Sequence, residues 1–354
     1  MLFNQQVQPL KTMHFMKNRL ILLLAAAVIG TGCTAQKQKP AADAATYVPT
    51  ITAAELSKHL HIIASDEMQG RNTGEPGQKL AGEYLIAQYK KDGIPHPPTA
   101  KDYFQPIPAS YFVRPFSPKL GDSENIWAYI EGSDKKDEVV VITAHYDHVG
   151  MKNGEIYNGA DDDGSGTVAL LEIAQAFHQA KINGNGPRRS ILILHVTGEE
   201  HGLHGSRFYS ENPLFPLQNT VANINIDMIG RRDTFHPDTN NYVYVIGSDR
   251  LSTDLHNITE AANARHTNLV LDYKYNDIND PQRFYYRSDH YNFAKNGIPS
   301  VFLFNGIHED YHKPGDDPEK IEYDALEKRT RLAFAIAWEI ANRDQRLVVD
   351  KDGK

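Results

Sequence analysis

Cys33 is the single cysteine in 354 residues, so a disulfide scaffold is excluded. Once a leader ending at residue 32 is removed, that thiol is the lipid-acceptor candidate described below, and cysteine catalysis is excluded with it. No G-x-S-x-G elbow is present, because "GDSEN" and "DGSGT" lack the strand–Ser–helix setting that exposes a nucleophilic serine. The one H-E-x-x-H string, His308-Glu309-Asp310-Tyr311-His312, stands on a Pro/Gly loop and not in a helical pattern, which argues against a single-helix zinc protease. No phosphate-cradling glycine loop is present, which removes nucleotide binders. Cationic charge is also scarce, with 37 Lys and Arg against 45 Asp and Glu. Removing residues 1–32 takes away Lys11, Lys17 and Arg19 and no acid, so the net charge falls from −8 to −11. A surface that acidic argues against nucleic acid as a partner.

What is present begins with a targeting pattern. Lys17 and Arg19 precede "LILLLAAAVIGTG", 13 uncharged residues followed directly by Cys33. The run is shorter than the ~20 residues of a membrane span and fits a signal-peptide core. Small residues followed directly by cysteine resemble a bacterial lipoprotein signal, in which Cys33 becomes the lipidated first residue. Ordinary signal-peptidase cleavage and an uncleaved anchor are the alternatives, and Met13 or Met16 is an alternative start. The expected organisation is a signal over 1–32, a flexible Ala/Pro-rich tether over 33–49, one domain over 50–345 and a tail over 346–354. The expected location is extracytoplasmic, periplasmic or outer-membrane, with membrane attachment through Cys33.

Hydrophobic residues at 40% and charged residues at 23% suit a globular domain with a sizeable core. Helical patterns are expected over 52–65 (capped by Thr52), 77–93 (stopped by Gly93), 167–180, 202–210, 252–264, 289–296 and 322–342. Between them lie apolar runs at 125–132, 138–148, 189–200, 221–230, 241–248 and 298–306. Near-continuous apolar strands alternating with helices predict a three-layer α/β/α sandwich on a mostly parallel sheet. Ligand sites in such folds gather beyond the carboxyl ends of the strands. Four strands run out into ionisable residues there: His145 and Asp147; Glu199 and Glu200; Asp227; and His308, Glu309, Asp310 and His312.

In "AHYDH", His145 reads as a metal ligand whose second ring nitrogen is held by Asp147 on the same strand face. His148 reads as a surface residue. Glu199 and Glu200 follow the apolar "SILILHVT", and one of them can bind metal while the other serves as base. His195 reads as a core histidine, and His201 and His204 as turn residues. Asp227 in an apolar strand end would be costly without a cation. His312 on a Pro/Gly loop is a weak signal alone, and Asp289 reads as a helix N-cap. The run "DDDGSG" fits a calcium loop if Asp161 is position 1 and Glu172 position 12. That reading needs a helix before the loop, where Gly150, Gly154 and Gly159 stand instead. It also needs Glu172 free to wrap back, whereas helical spacing already holds it from Thr167.

Together, His145-x-Asp147, "GADDDGSG", Glu199-Glu200, "NIDMIG" and "YHKPGDD", in this order over 145–312, resemble the di-zinc aminopeptidase family. Its relatives include glutamate carboxypeptidases and the single-zinc glutaminyl cyclases. The resemblance implies two zinc ions ~3.5–4 Å apart, with His145 and Asp227 on one, Glu200 and His312 on the other, and Asp162 bridging. It implies Glu199 as general base, Asp147 as the partner of His145 and Tyr311 as an oxyanion donor. It also implies peptide substrates, cleaved at the N-terminal bond. This chain has Asp161 and Asp163 where the family often has Asn, and Tyr146 where the cyclases tend to carry Trp. A glutaminyl cyclase-like acyltransferase, a carboxypeptidase or amidohydrolase of the same fold, and a non-enzymatic binding module are the alternatives.

Overall fold

The structure is a computed structural model and describes residues 43–113 and 119–353. The expected signal, Cys33 and most of the expected tether lie outside these residues. Among the described residues ten strands form: β1 Phe104–Ile107, β2 Ser123–Ile130, β3 Lys135–His145, β4 Met151–Lys152, β5 Glu155–Ile156, β6 Arg189–Val196, β7 Thr220–Ile226, β8 Tyr242–Ile246, β9 Val270–Asp272 and β10 Ser300–Phe304. The helices are α1 Ala53–Ile63, α2 Pro76–Lys91, α3 Gly166–Ile182, α4 His204–Glu211, α5 Thr253–His266, α6 His290–Ala294 and α7 Tyr323–Asn342.

Local chemistry sets several boundaries. The Thr52 Oγ1 accepts the Glu55 amide at 3.3 Å and starts α1. Gly93, at φ +73°, turns the chain after α2 so that the Ile94 amide returns to the Tyr89 carbonyl at 2.8 Å.

Eight strands make one sheet in the order β1-β2-β6-β3-β7-β10-β8-β9, and β4 and β5 form a separate hairpin. The central β6-β3-β7-β10 run is parallel throughout, whereas β1, β2 and β8 join antiparallel. Pleat alternation divides each strand between two layers. In β3, Val140, Ile142 and Ala144 pack into the core shared with α1, α2, α3 and α7, while Val139 and Val141 join Tyr209 of α4 and Phe293 of α6. This is the expected three-layer α/β/α sandwich.

The expected tether and tail differ at their described ends. Residues 44–50 form two 3-10 turns, and buried Tyr47 packs on Trp338 of α7 with ring centroids 5.5 Å apart. Residue 350 donates its amide to the Leu251 carbonyl at 3.1 Å, tying the C-terminal segment beside α5. Composition marked the tether as flexible, but one aromatic suffices to hold its described end.

Two buried histidines give the fold an acid-sensitive element. His195 on β6 sits 2.6 Å from the Tyr89 hydroxyl, and His290 stacks on Phe302. Burial holds both imidazoles down at about 3 from their usual 6.5. The unfolded chain takes up these protons below pH 6.5 and the folded chain near 3. Their stabilisation is therefore full above 6.5 and is lost as pH falls toward 3, by up to about 1.4 kcal/mol per pH unit for each group. His290→Phe should remove one contribution, so its melting temperature should rise relative to wild type as pH drops from 6 to 4. Parallel melting curves would show that His290 does not titrate this way.

Candidate metal centre

The four parallel strands β6, β3, β7 and β10 are neighbours, so their carboxyl ends share one rim. His145 is the last residue of β3, and Asp227 follows β7 directly. After β6, Gly198 at φ +68° lets the chain reverse and deliver Glu199 and Glu200 to the same rim. His312 comes from the loop after β10, itself at φ +55°.

Asp162 stands at the middle of this convergence. Its Oδ1 lies 3.3 Å from His145 Nε2, and its Oδ2 lies 3.0 Å from His312 Nε2. Around His145, Asp227 Oδ1 approaches Nε2 at 3.6 Å. Around His312, Glu200 Oε2 approaches Nε2 at 3.0 Å. The result is two half-sites, each with one imidazole and one carboxylate, sharing the Asp162 carboxylate. Glu199, Tyr311, Met228, Phe284, Arg287, Phe302, Phe304 and Ile307 line a pocket that opens onto Asp162 and Asp227. The Tyr311 ring stacks on His312 at 3.9 Å.

The donor set fits metal ions. His145 Nε2 and Asp162 Oδ2 are both buried, close to opposite partners, and yet without a hydrogen bond. Lone pairs converge on shared space here instead of meeting N–H groups, a costly arrangement unless a cation sits among them.

The three consecutive aspartates do three different jobs. Asp161 accepts the Gly230 amide at 2.6 Å and faces His308 Nε2 at 3.2 Å. Asp163 accepts the amides of Gly166 at 2.9 Å, Met228 at 3.0 Å and His145 at 3.2 Å, so it caps α3 and ties two strand ends together. That occupation leaves Asp162 as the member whose oxygens face the histidines. Its own amide, with that of Asp161, donates to Asp316. Burial, reinforced by Asp161, raises the Asp316 carboxyl to about 6.

A fully buried arginine braces the loop that leads into this run. The Arg71 guanidinium donates to the carbonyls of Tyr146, Ile63, Asn158 and Gly159 at 2.7–2.9 Å. Arg71→Met would strand four carbonyls, so urea unfolding should report a loss of at least about 3 kcal/mol. A change below about 1 kcal/mol would mean that water or a rearranged loop replaces the guanidinium.

Several sequence readings need correction at this rim. Asp147 does hold the His145 ring, but through its backbone carbonyl, 3.0 Å from Nδ1, while its carboxylate stands 3.8 Å away. That carboxylate instead accepts the Thr73 hydroxyl at 2.7 Å and the Glu199 amide at 3.3 Å, so it positions the Glu199 loop. His148 is not a surface residue; it is buried with Nδ1 2.7 Å from Glu200 Oε1. Asp289 occupies the N-cap position of α6 without making a capping bond; its carboxylate accepts the Ser206 hydroxyl. Burial raises that carboxyl to about 7, with His145 opposing. Ser288 carried no sequence signal, yet it donates to Asp227 Oδ2 at 2.6 Å and accepts from Asn225 at 2.8 Å, fixing how Asp227 points. His201 contacts Asn72, and His204 lies beside Arg207, both away from the half-sites.

Residues 125–337, which span this rim, match the sequence profile of peptidase family M28. The chain belongs to peptidase family M28. This M28 chain is 31% identical over 225 residues to a probable leucine aminopeptidase of Trichophyton verrucosum, covering 61% of this chain and 57% of the relative. It thus spans little more than half the length of that curated relative. The LapA aminopeptidase of Legionella pneumophila superposes with a TM-score of 0.65 at 21% identity, covering 85% of this chain and 75% of its own. A zinc aminopeptidase from Bacillus subtilis superposes at 0.62 and 17% identity, covering 85% and 99%. At these identities the structural likeness speaks for the fold, in agreement with the expected sandwich.

Proposed function

We propose that this M28 chain is an exported zinc-dependent aminopeptidase that hydrolyses N-terminal peptide bonds. The observation that carries the reading is the Asp162 carboxylate, with one oxygen toward His145 and the other toward His312. His145 and Asp227 would hold one zinc, Glu200 and His312 the other, and Asp162 would bridge them. Zinc bound there supplies Lewis acidity, polarising a carbonyl and making water acidic enough to lose a proton near neutral pH. Glu199 takes the proton of the attacking water and returns it to the leaving amine nitrogen. Tyr311 donates its phenol hydrogen to the developing oxyanion. Burial, with Asp162, Glu200 and Glu199 nearby, raises the Tyr311 phenol above its usual value, so it stays a donor at working pH. The pocket walls Met228, Phe284, Phe302, Phe304 and Ile307 suit an apolar side chain.

Two carboxylate-bridged half-sites favour this reading over a single-zinc cyclase, and a complete set of metal-facing side chains with a free base favours an enzyme over a binding module. The export part rests on the leader pattern ending at Cys33. Attachment through a lipid on Cys33 is the proposed anchor, on that pattern alone. The test is a set of peptides incubated with the zinc-loaded protein. Peptides with a free amino end should lose their first residue, and N-acetylated copies should not. Equal cleavage of blocked peptides, release from the carboxyl end, or a product of N-terminal Gln lighter by one ammonia would overturn the assignment.

A further inference from the structure

Glu172 completes the calcium-loop pattern in the sequence but has no part in the rim. It lies on α3, 2% exposed, and its Oε2 has no hydrogen-bond partner. A buried carboxylate oxygen without a donor is costly and calls for an explanation. Its Oε1 is 3.8 Å from His59 Nε2, and Glu55 Oε2 is 3.9 Å from the same nitrogen. His59 and Glu55 are one turn apart on α1, so both project from the same face toward α3. The second ring nitrogen of His59 is held by the Tyr84 hydroxyl of α2 at 2.6 Å. Fixing one imidazole nitrogen and presenting the other to carboxylates is the arrangement that orients metal-binding histidines.

We propose that Glu55, His59 and Glu172 hold a structural divalent cation, at a site separate from the candidate metal centre. The three donor atoms all lie within 4.8 Å of one another, which leaves room for an ion bonded to each at roughly 2.0–2.3 Å. One imidazole and two carboxylates suit zinc or manganese, and no thiolate is present to select a softer metal. At 3.8–3.9 Å the imidazole makes no hydrogen bond to either acid, so an ion would supply what the side chains do not give each other. Lys58 Nζ stands 2.6 Å from Glu55 Oε2 and is the built-in competitor; Glu55 is half-exposed and turns from the ammonium to the ion. The ion would join α1 to α3, the helix that begins three residues after Asp163.

Zinc per chain is measured by atomic mass spectrometry on the holoprotein, dialysed against buffered free zinc. The reading is the difference between variants, so it does not depend on how many ions the rim holds. Wild type should carry one ion per chain more than Glu172→Gln and His59→Gln. Lys58→Ala should keep the ion with equal or tighter affinity, and peptide turnover at saturating zinc should be the same in all four proteins. Should Glu172→Gln not fold, Glu55→Gln changes a half-exposed residue and should weaken the extra ion by about 10-fold or more. Equal zinc content and affinity in wild type and Glu55→Gln, or in wild type and folded Glu172→Gln, would overturn the site. Glu172 would then be a protonated buried carboxyl.

Discussion

Replacing Glu199 by Gln should leave the protein folded and zinc-loaded while lowering kcat by about 10²–10⁴-fold, the range of a lost general base. Glu199 touches the pocket but is not one of the carboxylates beside His145 or His312. Burial, reinforced by Asp227, Glu200 and Asp289, pushes its carboxyl well above the usual range against the pull of His145. A carboxylate made more basic in this way is suited to take a proton and give it back. Gln keeps the shape and removes the basicity, so KM should change much less than kcat. Loss of zinc along with activity would instead make Glu199 a ligand.

Asp162→Asn should act on both half-sites at once. An amide offers one oxygen acceptor, and its NH₂ cannot face an imidazole nitrogen and a cation together. Zinc affinity should fall by more than about 100-fold, exceeding the cost of losing an outer partner such as Ser288. Activity should become undetectable at free zinc concentrations that saturate wild type. Melting in the absence of zinc should move little, because Asp162 holds its loop through its amide, which donates to Asp316 at 3.1 Å. Asp163→Asn is the contrast: its carboxylate gathers three backbone amides, so its loss should show first as instability.

The rim was legible in the sequence because parallel strands announce themselves as continuous apolar runs and their ends are the natural ligand side. His145, Glu200, Asp227 and His312, at or beyond those strand ends, are gathered within a few ångströms of Asp162, the residue that the family resemblance and not the strand pattern singled out. The surface reading of His148 fails because strand parity stops applying where β3 ends at His145; the His148 amide instead donates to the carbonyl of buried Arg71 at 3.2 Å. Asp147 illustrates a limit of another kind, since spacing predicts which residue serves a ring but not which of its atoms. The pairing of Ser288 with Asp227, and of Asp316 with the amides of Asp161 and Asp162, joins residues 61–155 positions apart, and nothing local foretells it. The short edge strands β1 and β9, of four and three residues, carry too little alternation to register. Antiparallel entry of β8 is likewise invisible, because a strand buried on both faces reads the same in either direction. The triple aspartate shows both sides of this: its helix start was readable, while the division of labour among Asp161, Asp162 and Asp163 came from Gly230, Met228 and the two histidines.

The shared carboxylate is the central claim, and anomalous diffraction at the zinc edge from crystals of the zinc-loaded protein tests it directly. Two peaks are expected at the rim, one beside His145 and Asp227 and one beside Glu200 and His312, each in contact with a different oxygen of Asp162. A single peak at saturating zinc, or two peaks of which one leaves Asp162 untouched, would contradict it.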